Sequence, residues 1–438
     1  MSARGNEALG RLLDAAEDAS PVHAVDAVTR ELGRALGATA VSFLIADLSG
    51  RALVRLGNLD DGGHAAGADR HVGDELATEI RFDGGPADEA LRTQTVKVAR
   101  DETGRRWTVF APVTERGGTI GLLEMTLADE PDADDLDDIL RTAHALAFVI
   151  IANRRHTDLF EWGQRSTPFT LPAEIQRRLL PSAFTCEAGS FTLSAWLEPA
   201  AHVGGDTFDY SLGRNALRLS VTDAMGHGVG SALTATLCVG SLRNSRRQGA
   251  GLVEQAAAAN AALMAHTEGL GIESFATGLL GSLDLASGTL SLVNAGHVAP
   301  YLARGETVTA VELPDGLPLG LFADVRYEES ALALEAADRL VFVTDGMIER
   351  QAVAVDLVAE IRATRSLHAR ETTRYLADAV LAATGGELAD DATLLVLDWH
   401  GDHGKRGGGR TTAGGADAVG ASSGPPRGDG DAPDPAEV

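Results

Sequence analysis

In the C-terminal half of this sequence, aspartates recur where strand-like runs meet glycine. Asp206 follows Gly204 and Gly205 in "HVGGDTFDY", and Asp223 ends "ALRLSVTD" ahead of "AMGHG". Asp345 ends "RLVFVTD" before Gly346, and Asp390 and Asp391 open "DDATLLVLDW". Taken singly, an aspartate beside a glycine is an ordinary turn residue. An inward carboxylate at a strand end is costly when unpaired, and several close together repel one another and take up protons. A divalent cation reverses that balance. Oxygen donors of this kind suit Mg²⁺ or Mn²⁺, while zinc more often recruits His or Cys. Two histidines, His227 in "GHG" and His297 in "NAGH", fit either a general acid or structural hydrogen bonds, with His202 close to Asp206 in sequence. Asn294 and Gly296 read as turn formers.

The elements that must carry these groups are strands. Leu217, Leu219 and Val221 share one face, and period two puts Asp223 on that same inward face. Val341 and Val343 alternate into Asp345 in the same manner. Both runs are apolar on both faces, as in the central strands of a layered structure. Three strand-like runs, "FTLSAWLEP", "DTFDYSLG" and "ALRLSVTDA", follow one another with glycine-containing turns between them.

The runs "VGGDTFDY", "VTDAMGHGVGSA", "FATGLLGSLDLASGTLSLVNAGHVAPYL", "GLPLGLF", "LVFVTDGMIE" and "DDATLLV" cover most of 184–400. In content and order this stretch resembles the metal-dependent protein phosphatase family, in its SpoIIE-type sigma-regulator branch. The resemblance implies an αββα sandwich with two Mn²⁺ or Mg²⁺ ions at one end between the sheets. It assigns Asp206 to the GGD aspartate, Asp223 to the metal-bridging position, Asp345 to the "TDG" aspartate and Asp390 to the first aspartate of "DDxT". Ala224 stands where a backbone carbonyl reaches a metal. Thr207 departs from the pattern, which commonly has an aromatic residue there. The implied reaction is attack of a water on phosphorus with no covalent Cys or His nucleophile. The implied substrate is a phosphorylated protein of the anti-anti-sigma type. Two rival readings remain at this point: an unreactive phosphatase-like binding module, and a phosphatase of a small phosphoester.

The other segments frame this domain. At 438 residues the chain is long enough for two folded domains with tails. "AVDAVTRELGRALG" reads as a helix, "AVSFLIADLSG" and "RALVRLG" as strands, and "RRWTVFAPVTERGGTIGLLEMTLA" as a strand pair turning at Gly117 and Gly118. A closing helix from "DADDLDDILRTAHALAFVIIANRRHTDLF" completes an α+β unit over 21–156 behind an N-terminal helix at 1–20. The phrases "GPADEALRTQTVKV" and "APVTERGGTIGLLEM" resemble a GAF domain. That resemblance implies a sensor or dimerisation module, with a small ligand, a homodimer or neither. Over 157–183 a short helix is expected between Pro172 and Pro181, with Ile175, Leu179 and Leu180 on one side, serving as a tether or as a regulatory element. The Gly-, Ala-, Ser- and Pro-rich stretch 401–438 lacks apolar surface to offset its ordering entropy, and disorder is expected there.

Charge and composition exclude several classes. A net charge of −26 disfavours nucleic acid and anionic membrane surfaces as partners. No apolar run approaches the roughly 20 residues that span a bilayer, and the N-terminus lacks the apolar core of a signal peptide. Two cysteines, Cys186 and Cys238, give neither a bridge framework nor a zinc-type pairing, so a cytoplasmic protein is expected.

Overall fold

A computed structural model describes residues 3–401 except 49, 51, 59–67, 73, 83, 101–103, 167–168, 199–203, 271–273, 349–354, 386–387 and 389. His202 and the segment 402–438 therefore lie outside the described residues. In the N-terminal unit, α1 (Ala3–Asp18) precedes α2 (Ala24–Leu36). Val25, Val28 and Leu32 are buried at helical spacing, and α2 stops at Gly37 in the left-handed region, φ 63°. Strands β1 (Ala40–Ala46), β2 (Ala52–Asn58), β3 (Arg70–Val72) and β4 (Glu75–Arg81) follow. Then come α3 (Pro86–Thr93), β5 (Lys97–Arg100), β6 (Trp107–Glu115), β7 (Gly118–Leu127) and α4 (Ala133–Asn153).

The strands form one antiparallel sheet in the order β3-β4-β2-β1-β7-β6-β5. Side chains from α2 and α4, among them Val28, Leu146 and Ile150, pack on Ile45, Val109 and Leu123 on one face. Ala90 and Leu91 of α3 meet Leu44, Leu53 and Leu122 on the other. The closing helix is shorter than its apolar pattern suggests. It ends at Asn153 and is followed by a 3₁₀ turn (Arg154–His156) and α5 (Leu159–Gly163).

Between the units, α6 (Leu171–Leu179) begins at Thr170, whose hydroxyl accepts from the Ala173 amide, with Pro172 in the first turn. Its inward face differs from the expected Ile175–Leu179–Leu180 stripe. Ala173, Gln176 and Leu180 are buried, while Ile175 and Leu179 are half-buried. A polar residue takes the centre of this face because its amide is bonded there.

The C-terminal unit contains β8 (Thr185–Glu187), β9 (Phe191–Glu198), β10 (Asp206–Leu212), β11 (Ala216–Ala224), α7 (Val229–Arg247) and α8 (Leu252–Leu270). It continues with β12 (Ala276–Asp284), β13 (Thr289–Ala295), β14 (Tyr301–Arg304), β15 (Thr307–Ala310), β16 (Glu329–Ala333) and β17 (Asp338–Val343). Helices α9 (Leu357–Ala363) and α10 (Ala369–Ala383) lead to β18 (Ala392–Trp399). Two antiparallel sheets result, β10-β11-β12-β13-β16 and β15-β14-β17-β18-β9-β8.

Leu217, Leu219, Val221 and Leu279 of the first sheet meet Phe191, Leu340, Phe342 and Leu395 of the second in the inter-sheet core. Cys238, Leu242 and Leu263 of α7 and α8 cover the first sheet at Leu280 and Val293. Ile361, Leu376 and Val380 of α9 and α10 cover the second at Val341, Val343 and Val396. The layers are those of the expected αββα sandwich. One detail is corrected: Val341 and Val343 face the helices, and Leu340 and Phe342 face the other sheet. Asp345 is not placed by the alternation, because β17 ends at Val343 and Asp345 opens a 3₁₀ turn (Asp345–Met347). Both cysteines are buried and free, and no helix among the described residues is long and apolar enough to cross a membrane.

Candidate active site

Strand parity brings a set of polar side chains to one end of the inter-sheet core. Along β10, Phe208 and Tyr210 point into the core, and Asp206 shares their parity. Along β11, Asp223 continues the inward row of Leu217, Leu219 and Val221. The two aspartates stand opposite each other in the β10–β11 register, so both carboxylates belong to the first sheet at its site end. Across the gap, Thr344 and Thr393 belong to the second sheet's side. Their hydroxyls donate to Asp206 Oδ2 at 2.6 and 2.7 Å. The Thr393 amide in turn donates to the Thr344 hydroxyl at 2.9 Å.

Asp206 is 2% exposed. Its carboxyl is held well above the usual carboxylate range, first by burial, then by the charges of Asp223 and Asp391. The two threonine hydroxyls oppose the shift. A buried carboxylate facing a half-buried one fits a hard divalent cation: the donors are oxygens, and a positive ion relieves the same repulsion that otherwise drives proton uptake. Asp206 and Asp223 are the predicted ligands that the structure pairs directly. Asp345 and Asp390 lie at the neighbouring ends of the second sheet, where an added Cβ on Gly346 would stand 2.0 Å from the Asp391 carbonyl oxygen. Among the described residues, no group of three or more His, Cys, Asp or Glu side chains is gathered in a metal-holding arrangement.

Ala224 is buried, and its amide donates to the Gly205 carbonyl at 3.2 Å. An added Cβ at Gly205 would stand 2.4 Å from the Ala224 carbonyl oxygen, so only glycine allows this approach. Gly226 and Gly228 carry φ of 91° and 77° at the turn into α7. His227 is exposed on that turn. Thr207, where the family pattern commonly has an aromatic residue, is buried against Thr222, hydroxyl to hydroxyl at 2.5 Å.

Several residues beyond the expected ligand set also build this end. Asp391 is 1% exposed, and its Oδ2 accepts from Gln176 Nε2 at 2.7 Å, the Gly205 amide at 3.1 Å and the Asp206 amide at 3.3 Å. Asp390 is exposed, and its Oδ1 accepts from the Asp391 amide at 2.8 Å. Period two carried the signal for this division: Asp391 and Thr393 share parity with the inward Leu395 and Leu397, and Asp390 does not. Gln176 gave no signal, since a polar residue on an amphipathic helix is expected to face solvent. Its amide also donates to the Asp206 carbonyl at 2.8 Å, tying α6 to the site. Gln176→Met, similar in size but without the amide, is expected to destabilise the chain by about 2 kcal/mol. Denaturant unfolding checks this, and an unchanged midpoint would show that the bonds do not hold the helix.

Residues 213–400 match the family described as Stage II sporulation protein E (SpoIIE). The matched stretch contains Asp223, Ala224, Asp345 and Asp390, while Asp206 precedes it. Protein IcfG of Synechocystis sp. is 24% identical over 255 residues, covering 51% of this chain and 40% of its own length. Phosphoserine phosphatase RsbU of Bacillus subtilis is 22% identical over 233 residues, covering 52% of this chain and 68% of the relative. This chain thus spans less than half of the Synechocystis relative. A crystal structure of the RsbU and RsbW domains of Rv1364c from Mycobacterium tuberculosis is 27% identical, with a TM-score of 0.41 over 48% of this chain and 60% of that one.

Proposed function

From the match of residues 213–400 to the SpoIIE family, we propose that this protein is a metal-dependent serine/threonine phosphoprotein phosphatase acting on a small phosphorylated regulator of the anti-anti-sigma type. The observation that carries the reading is the pairing of buried Asp206 with half-buried Asp223 at the end of the sandwich. The relative named phosphoserine phosphatase RsbU supports the choice of a phosphoserine substrate.

In this reading Asp206, Asp223, Asp345 and Asp390, with the Ala224 carbonyl, hold two Mn²⁺ or Mg²⁺ ions. The chemistry such ions supply is activation of a water and neutralisation of charge on the phosphoryl oxygens. The chain's own part is positional. Thr344 and Thr393 fix one oxygen of Asp206 from the second sheet's side. Asp391 holds the Gly205–Asp206 backbone in place. The thiols of Cys186 and Cys238 are buried, with their pKa values pushed up by burial, that of Cys238 to about 12, which removes them as nucleophiles.

The N-terminal GAF-like unit is the input module in this proposal, through a small ligand or through pairing with a second copy, in a cytoplasmic setting. Two contacts offer it a route to the site: Gln176 on α6, and the β6–β7 turn, where the Arg116 carbonyl accepts from the Glu187 amide of β8 at 2.9 Å. The test is phosphate release by the purified full chain with Mn²⁺ from a panel of serine-phosphorylated regulator proteins and from free phosphoserine. Release from a phosphoprotein, at a rate well above that from phosphoserine, is expected. Release only from the small ester would move the substrate class, and no release from any would favour an unreactive binding module.

A further inference from the structure

We propose that His297 is a positioning residue that sets the gap between the two sheets beside Asp223. The proposal deepens the phosphatase reading above and rests on it. In the first sheet Asp223 has two neighbours. On one side is Asp206, clamped to the second sheet by Thr344 and Thr393. On the other side is Thr277 of β12, directly opposite Asp223 in register. Its hydroxyl meets His297 Nδ1 at 2.8 Å, and the far side of the ring faces the Val343 carbonyl at the end of β17. Val343 lies two residues before Asp345. The imidazole thus stands between the strand that carries Asp223's neighbour and the strand that leads to Asp345.

The turn that presents the ring is built to hold it. The His297 amide donates to Asn294 Oδ1 at 2.8 Å. Gly296 takes φ 72°, and a Cβ there would meet Pro318 at 2.9 Å. A Cβ on Gly316 would stand 1.9 Å from the Asn294 carbonyl oxygen. These contacts leave the Asn294–His297 turn little freedom to shift.

The ring is 7% exposed, and Nε2 is buried without a hydrogen-bond partner, short of bonding geometry with the Val343 carbonyl. Burial pushes its pKa down to about 4, so it bridges the sheets as a neutral group at neutral pH. A proton donor or acceptor working near neutrality would need a very different value. A buried ring nitrogen left without a bond in an otherwise fixed turn calls for a reason. The reason proposed is that sheet spacing here is set for the carboxylates, which must be placed to within about 0.5 Å to hold a shared ion.

The experiment compares His297→Ala, His297→Asn and Thr277→Val with the wild-type full chain. Mn²⁺ binding is followed by calorimetry and melting temperature is taken in chelator. His297→Ala and Thr277→Val are expected to weaken Mn²⁺ binding by about tenfold or more, the scale for groups that orient a ligand from behind. His297→Asn places an amide where Nδ1 stood and is expected to recover most of that loss. Unchanged Mn²⁺ affinity in His297→Ala, whether or not its melting temperature falls, would overturn the proposal. Should His297→Ala fail to fold, Thr277→Val decides by the same criterion. If the wild type itself binds no Mn²⁺, the phosphatase reading falls and takes this proposal with it, a result distinct from equal binding by wild type and variants.

Discussion

Asp223→Asn is expected to lower Mn²⁺-dependent hydrolysis of an aryl phosphate by about a thousandfold, on the scale of losing a principal charge-stabilising group. The same substitution should make the metal-free protein more stable. Asp206 is buried opposite Asp223, and after burial the Asp223 charge is the largest influence raising its carboxyl pKa. A carboxyl whose folded pKa is raised contributes stability that is full below its unfolded pKa, near 3.8, and is lost as pH rises through the folded value. In chelator, the wild type should therefore melt higher as pH falls below the raised Asp206 value toward 3.8. Asp223→Asn removes one source of the shift, so its melting temperature should be higher at neutral pH and less dependent on pH. Melts in chelator between about pH 5 and 8 check both statements. A lower neutral-pH melting temperature for Asp223→Asn, with the pH slope of the wild type, would show that the pair does not repel.

The second large effect separates two adjacent residues. Asp391→Ala should destabilise the chain by about 3 kcal/mol or more, because it strands a buried glutamine amide and two buried backbone amides. For a domain of this size that corresponds to a fall of roughly 6–12 °C in melting temperature. Asp390→Ala is expected to leave the melting temperature in chelator close to wild type, since its side chain is exposed and its Oδ1 accepts from the next amide. Its Mn²⁺-dependent activity should nonetheless fall as far as that of Asp223→Asn. Thermal melts and steady-state rates of the two variants side by side test the division. The reverse pattern, with Asp390→Ala unstable and Asp391→Ala stable but inactive, would exchange the roles assigned here.

What the sequence made legible follows from how local each signal is. The inward face of β11 was readable because Leu217, Leu219 and Val221 run unbroken into Asp223 within one strand. The same argument failed at Asp345, since the strand stops at Val343 and a 3₁₀ turn resets the direction of the side chain. Parity on β18 could have separated Asp390 from Asp391, but only once the inward face of Leu395 and Leu397 was known, and that depends on packing against the other sheet. Gln176 was beyond reach for a different reason. Its partners lie 30 and 215 residues away, and nothing in the helix pattern of α6 marks a polar residue as the buried one. The sandwich layers came from the family resemblance, whereas the clamp of Thr344 and Thr393 on Asp206 joins strands distant in sequence.

The central claim is that the end of the sandwich holding Asp206 and Asp223 is a two-cation phosphatase site. Calorimetric titration of the purified full chain with Mn²⁺, alongside Asp223→Asn, tests it most directly when phosphate release is followed in the same samples. The account predicts two ions per wild-type chain, impaired binding in Asp223→Asn, and phosphate release that rises with occupancy. Phosphate release at full rate in excess chelator, or equal Mn²⁺ binding by wild type and Asp223→Asn, would contradict it.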